Sequence, residues 1–308
     1  MSEQIDTKEL LRRIRRIEIT AQKLVNEQLA GTYLSVFKGR GMNFDSVRQY
    51  APGDEIRFID WNVTARTNQP YVKEFVEERE LNIVLVADAS ASMDFGLSSA
   101  EYKTGSKVDV LELNKRGLAA LSAASIALAA QRNNDRVGLV GFSDSVSRYI
   151  PPKKGRRHSL RVVREVLGMQ AESSNTDLAQ ALEFVGKVLK RRSVIFVLTD
   201  IWAEGFERPL KILAKKHDVN FLIFEDPFEH HLLPGGLMPL KDLETGRIEL
   251  VGTTSTYMKQ YERWMQDRVR AFTMELRKYA IPFQRFSTDR PFDKDLMGFF
   301  RTRRAKWH

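Results

Sequence analysis

The 308-residue chain contains no cysteine. That excludes disulfide frameworks, zinc–thiolate sites, iron–sulfur clusters and cysteine nucleophiles. Histidine is scarce, with five residues in all: His158, His217, His230, His231 and His308. His230 and His231 are adjacent, but they have no partners at metal-ligand spacing and are expected to lie exposed in a loop. No long apolar run exists. The most apolar helical stretch, LAALSAASIALAA (118–130), is too short and too rich in Ser and Ala to span a bilayer, which takes about 20 residues. The opening MSEQIDTKELLRRIRRIEIT has no apolar core of signal-peptide type. A soluble, cytoplasmic protein without a transmembrane segment is expected. The chain also lacks the Gly-x4-Gly-Lys-Ser/Thr phosphate loop and the Gly-x-Ser-x-Gly nucleophile elbow, which argues against an ATPase and against a hydrolase of that kind.

What is present is an ordinary globular composition, 43% hydrophobic and 29% charged, in a chain long enough to bury a sizeable core. Net charge is +9. The excess clusters in RRIRR (12–16), KKGRRHSLRVVR (153–164), KRR (190–192) and RTRRAK (301–306). Such patches suit nucleic acid, an acidic partner or an anionic surface. No nucleic-acid-binding signature accompanies them, so no specific nucleic acid is expected and solvated surface is the plainer reading.

Apolar residues at helical spacing (Ile5, Leu10, Ile14, Ile17, Leu24, Leu29) predict one amphipathic helix ending near Gly31. Residues 39–75 are rich in turn formers, with Pro-Gly-Asp at 52–54, a short helix expected around Trp61 and a strand at 70–77. Asp54, Arg57, Asp60, Trp61 and Arg66 crowd this segment. They read as a buried ion-pair and turn network docking it onto the rest, with a partner surface as the sharper alternative.

From residue 81 strands and helices alternate. Strands are expected at 81–88, 136–143, 145–151, 193–200, 219–226 and 281–287, the last as an inner strand. Helices are expected at 109–131, 157–169, 177–191, 207–217, 256–280 and 292–303, with a hairpin insert near 227–255. The apolar runs LNIVLVAD and SVIFVLTD lack polar alternation, as buried parallel strands do. The pattern predicts an α/β fold, a doubly wound, mostly parallel sheet flanked by helices. The division expected is 1–76, an N-terminal helix and β-containing extension, and 77–308, the main domain. In open sheets of this kind ligands sit beyond the carboxyl ends of the strands. Asp88 and Asp200 close two apolar strands at such ends.

Three segments converge on one chemistry. Asp88-Ala-Ser90-Ala-Ser92 follows the first core strand, Thr176-Asp177 sits in a polar loop, and Thr199-Asp200 ends a later strand. They offer carboxylates and hydroxyls with no thiolate or nearby imidazole. Hard oxygen donors select hard cations, Mg²⁺ first and Mn²⁺ also. As plain caps or turns, Ser92, Asp94 or Asp177 would need no metal, and Asp177 best fits a helix cap. An acid two residues after Asp88, as strand-end phosphotransferases need, is replaced by Ser90.

These residues resemble the metal-ion-dependent adhesion site of von Willebrand factor A domains. NDRVGLVGFSD (134–144) is similar to a second-strand signature of that fold. GRGMNFDSVRQYAPGDEIRFIDWNVTARTNQPYVKEF (39–75) and LKDLETGRIELV (240–251) closely resemble a bacterial family found beside MoxR-type AAA+ ATPases, catalogued as domain of unknown function number 58. The resemblance runs from about residue 35 to the C-terminus. It implies Ser90, Ser92 and Thr176 as direct or near-direct metal ligands, with Asp88 and Asp200 binding directly or through water. It implies a non-enzymatic protein-interaction module whose metal shell is completed by an acidic side chain of a partner, and a MoxR-like ATPase as that partner, in assembly or maturation of other proteins. Asn175 stands where many such sites have Gly, and Ile201-Trp202 follow Asp200 where many have Gly. The competing expectation is a metal-dependent phosphohydrolase or nuclease using the same acids.

Overall fold

A computed structural model describes residues 7–29, 43–76, 80–96, 114–169, 176–232, 235–243 and 247–305. Its centre is a six-stranded sheet. The strands are β3 (Asn82–Asp88), β4 (Arg136–Phe142), β5 (Val146–Lys153), β6 (Val194–Thr199), β7 (Asp218–Glu225) and β10 (Phe283–Ser287), in the order β10-β7-β6-β3-β4-β5. All neighbours are parallel except the β4–β5 pair. The expected doubly wound, mostly parallel architecture is therefore what the chain adopts. β10 lies at the sheet edge, not inside as the sequence suggested. Its register runs only against β7, and three of its five residues are half-buried.

Side chains alternate across a strand, so each apolar run feeds two layers. Ile83, Leu85 and Ala87 face one core with Leu139, Phe196 and Phe224; Val84 and Val86 face the other with Val140, Val197 and Ile223. The first layer is closed by helices α1 (Thr7–Leu24), α3 (Lys115–Arg132), α4 (Arg156–Gly168) and α9 (Phe292–Ala305), chain order leaving α2 (Trp61–Thr67) outside it. The second is closed by α5 (Leu178–Val188), α6 (Glu207–Lys216) and α8 (Ser255–Lys278). Helix α3 is buried almost all round, which explains its Ala and Ser: larger side chains would not fit between sheet and neighbouring helices. Its hydroxyls Ser122 and Ser125 donate back to Leu118 and Leu121 carbonyls. Helix α1 buries Ile17 and Ala21 against this layer, continues as a π-helical turn through Leu29, and leaves Arg12, Arg15 and Arg16 exposed. Its expected end near Gly31 lies outside the described residues, as do residues 109–113 of the helix expected at 109–131.

Two small antiparallel pairs stand apart from the sheet. β1 (Asn43–Gln49) pairs with β2 (Tyr71–Val76), enclosing α2. β8 (Gly236–Lys241) pairs with β9 (Ile248–Thr253) as the expected hairpin insert. The Pro-Gly-Asp turn forms, with Gly53 at φ 111 and Asp54 N–H donating to the Ala51 carbonyl. The network read there as buried is instead at the surface. Asp54 pairs with exposed Arg48, Asp60 caps α2, and Trp61 is 66% exposed. The basic patches are mostly solvated, among them Lys153, Arg156, Arg157, Arg191 and Arg192. Arg303 in the last patch is an exception, buried against Asp218.

Candidate metal centre

Counted from β3, the sheet runs 3-2-1-4-5-6, and the chain leaves β3 toward β4 and returns on the other side as β6. Strand order thus reverses between β3 and β6, which are hydrogen-bonded neighbours. A crevice opens at the carboxyl ends of two strands that diverge in this way. Asp88 ends β3 there, and Asp200 follows β6 directly.

Asp88 is buried, and both its oxygens are used. Oδ1 accepts from Ser90 N–H at 2.8 Å and Oδ2 from the Thr199 hydroxyl at 2.7 Å. The chain then turns through one 3-10 turn, Ala91–Asp94, that Ser90 precedes in extended conformation. Small Ala89 and Ala91 let this loop stay tight. Ser90 Oγ and Ser92 Oγ lie 3.0 Å apart, and Ser92 Oγ donates to Asp200 Oδ2 at 2.7 Å. Asp200 Oδ1 accepts from the backbone N–H of Trp202 at 3.0 Å, so the turn just after β6 orients the acid. Four of the five expected ligands, Asp88, Ser90, Ser92 and Asp200, are therefore joined by local turns and by hydrogen bonds across the β3–β6 junction. Thr176 is half-buried on the loop before α5, and Asp177 N–H ties that loop to the Ser143 carbonyl just past β4 at 2.6 Å. Asp177 itself caps α5 through Gln180 N–H, as its position suggested. Asn175 lies outside the described residues.

Two residues the sequence reading did not single out complete the cluster. Lys115, first residue of α3, is fully buried. Its Nζ lies 2.9 Å from Asp200 Oδ2 and 2.5 Å from Glu229 Oε1. Glu229 belongs to the one-turn helix α7 (Pro227–His230), inserted between α6 and α8 in chain order. Its other oxygen accepts from Asp226 N–H at 3.1 Å, in a capping box. Beside Lys115, Arg116 grips the other flank. It donates to the Ser90 carbonyl at 3.0 Å and pairs with Asp94. Gly96 lets the chain come this close to α3. It sits at φ 138, and a Cβ there would lie 2.9 Å from the Asn114 backbone. A signal for Lys115 was available in the sequence: a lysine placed just before a run of Ala and Leu that must be buried needs an acid.

Electrostatics follow from burial. Desolvation, then the nearby charge of Asp200, pushes the Asp88 carboxyl up to about 6 despite its hydrogen bonds from Ser90 and Thr199. Burial also raises Glu229. For Lys115 burial alone would favour the neutral amine, but Asp200 and Glu229 more than offset it and hold the ammonium charged. Two buried carboxyl groups, Asp200 and Glu229, thus share one buried ammonium, with buried Asp88 beside them. The donor set is all oxygen and carries an excess of negative charge, which fits a hard divalent cation. Among the described residues no group of three His, Cys, Asp or Glu is placed to hold a metal, so any such site would depend on the hydroxyls. His230 and His231 are engaged elsewhere, with Glu225 at 2.9 Å and Glu262 at 3.0 Å; His230 is half-buried, contrary to expectation.

Fold and site together define a doubly wound α/β domain with a cluster of buried oxygen groups at its switch point. Residues 46–270 match the family described as "Protein of unknown function DUF58", and the chain belongs to that family. It is 28% identical over 303 residues to "Uncharacterized protein Rv1480" of Mycobacterium tuberculosis, covering 97% of this chain and 92% of that protein. Among solved structures it is similar to the conserved hypothetical protein BatB from Bacteroides thetaiotaomicron, at 16% identity and TM-score 0.45, over 73% of this chain and 99% of that one. It is also similar to the SpRpn10 VWA domain, at 12% identity and TM-score 0.37, over 70% of this chain and 93% of that domain. Overlaps this loose transfer no residue role.

Proposed function

We propose that this chain is a non-enzymatic protein-interaction module that works through a divalent cation, Mg²⁺ or Mn²⁺, held by Asp88, Ser90, Ser92, Thr176 and Asp200. The observation that carries the reading is the hydrogen-bonded run Ser90–Ser92–Asp200 beside buried Asp88. It gathers hydroxyl and carboxylate oxygens from both strands of the switch point. Bound there, the cation would supply an electrophilic point for a carboxylate of another protein. Hydroxyl ligands bring no charge, so the ion stays electron-poor toward that carboxylate. Ser92, at 7% exposure, is the least buried of the four joined residues, and Thr176 is half-buried.

The partner proposed is a MoxR-like AAA+ ATPase, acting in assembly or maturation of other proteins in the cytoplasm. This part rests on the sequence resemblance. No described helix is long and apolar enough to cross a membrane. The test is capture of the ATPase by the purified chain in Mg²⁺, in EDTA, and with Ser90→Ala. Capture is expected in Mg²⁺ alone and only for the wild type. Capture that survives both chelator and Ser90→Ala sinks the reading. Metal-dependent cleavage of a phosphodiester, lost in Asp88→Ala, would replace it with the hydrolase.

A further inference from the structure

The lysine in the crevice calls for its own explanation. Lys115 is one of the largest fully buried side chains of the molecule. A lysine is almost never completely buried unless it is paired, and this one is paired twice, across 85 and 114 residues of chain. The oxygen it touches on Asp200, Oδ2, is the same one that accepts the Ser92 hydroxyl. The ammonium therefore sits on the carboxylate oxygen that faces the proposed ligands.

We propose that Lys115 is the resident cation of this site: its ammonium offsets part of the charge of Asp200 and Glu229 in the absence of a divalent ion, and a metal at the cluster must compete with it. The second half rests on the metal-binding reading above; the first does not.

Three features support the assignment. The anchor on the far side is fixed, because Glu229 is held by Asp226 N–H through its second oxygen and approached by Trp202 Nε1 at 3.4 Å. The ammonium is a compact charge on a flexible stem. It can leave Asp200 while keeping Glu229, so a cation can be admitted without stranding a buried charge. Finally, the loop has protein groups holding its shape. Arg116, the next residue, holds the Ser90 carbonyl, and Lys115 N–H donates to the Phe95 carbonyl at 3.1 Å. The first two residues of one helix thus hold both ends of the Ser90–Phe95 loop. The functional consequence is a weak metal site. An incoming divalent ion meets a like charge, and a partner's carboxylate restores the balance, so metal and acidic partner are expected to bind together.

The test compares the full-length wild type with Lys115→Met, an uncharged side chain of similar length. Thermal melts in EDTA and across a Mn²⁺ titration are read together with Mn²⁺ affinity by calorimetry. Lys115→Met is expected to melt well below wild type in EDTA, to recover with Mn²⁺, and to bind Mn²⁺ at least tenfold tighter. Equal melting of the two proteins in EDTA overturns the inference, as does a failure of Mn²⁺ to restore the variant. A wild type indifferent to Mn²⁺ beside a rescued variant upholds the resident cation and sinks the metal-dependent reading of the native site. A wild type that binds Mn²⁺ as tightly as the variant does the reverse. Should Lys115→Met fail to fold in either condition, Lys115→Met/Glu229→Gln removes one charge of each sign. It is expected to fold in EDTA and bind Mn²⁺ more tightly than wild type, and weaker or equal binding overturns the inference.

Discussion

Two short polar segments of this chain, both carrying paired aspartates, bear opposite loads. Asp88–Asp94 crowds two acids and two serines into seven positions, and Asp54–Arg66 crowds acids and arginines into thirteen. In the first, Asp88, Ser90 and Ser92 are buried at the junction of two parallel strands, and their side chains hydrogen-bond to other polar groups of the cluster. In the second, Arg48 and Arg57 hold acids at the surface, Asp60 caps a seven-residue helix, and Ile56 and Trp61 face outward, 69% and 66% exposed. The lesson is that residue type sets what a segment can do, while depth in the fold sets what a charge is worth. In water a surface pair gains little; in the crevice an unpaired charge is costly.

The largest effect expected from this contrast is that of Asp200→Ala. It leaves Lys115 with a single carboxylate and removes the acceptor of Ser92 and of Trp202 N–H. By the usual cost of breaking a buried pair, the protein loses about 3–5 kcal/mol, read from urea unfolding. Asp54→Ala, which breaks the surface pair with Arg48, should move the same midpoint far less. Equal shifts for the two would erase the distinction.

Next in size is a pH effect of opposite sign in the two segments. The Asp88 carboxyl is pushed from 3.8 to about 6 in the folded protein. Between these values the folded state binds more protons than the unfolded one, so stability falls as pH rises through the window. The total is about 3 kcal/mol, complete above pH 6. Glu229, also raised by burial, acts in the same direction. Asp54, held down to about 2 chiefly by the Arg48 guanidinium, gives stability that is lost only as pH falls toward that value. Denaturant midpoints from pH 4 to 7 in EDTA should therefore decline for wild type and flatten for Asp88→Asn. Parallel profiles for the two proteins would show that Asp88 is not the group involved.

The smallest expected effect concerns Trp61. Replacing it with Ala should change stability by less than about 0.5 kcal/mol, as for most exposed positions. If that face is a partner surface, capture of the ATPase drops while the melting temperature stays put. A loss of stability instead would mean the indole packs against something in the folded chain.

How much of this was legible beforehand varies from residue to residue. The places of Asp88 and Asp200 were readable because an apolar run that ends in an acid fixes both a strand and the end at which the acid lies. Asp177 was readable as a cap because capping is local, a matter of three residues. The burial of Asp54 and Trp61 was misjudged, since turn chemistry and ion pairing look the same in sequence whether the segment docks or stands free. β10 was misplaced at the sheet's interior for a similar reason: a short apolar strand does not reveal how many neighbours it has.

The sequence by itself determined the alternation of strands and helices, the oxygen-only chemistry at the strand ends and the exclusion of thiol chemistry, because each is a property of a contiguous stretch or of composition. Only the tertiary structure decided that Lys115 and Glu229 join Asp200. They lie 85 residues before and 29 after it, and no local pattern links them. Their meeting depends on strand order, which sets β6 beside β3 and brings the start of α3 over the end of both, where a buried charge had to find its counter-charges.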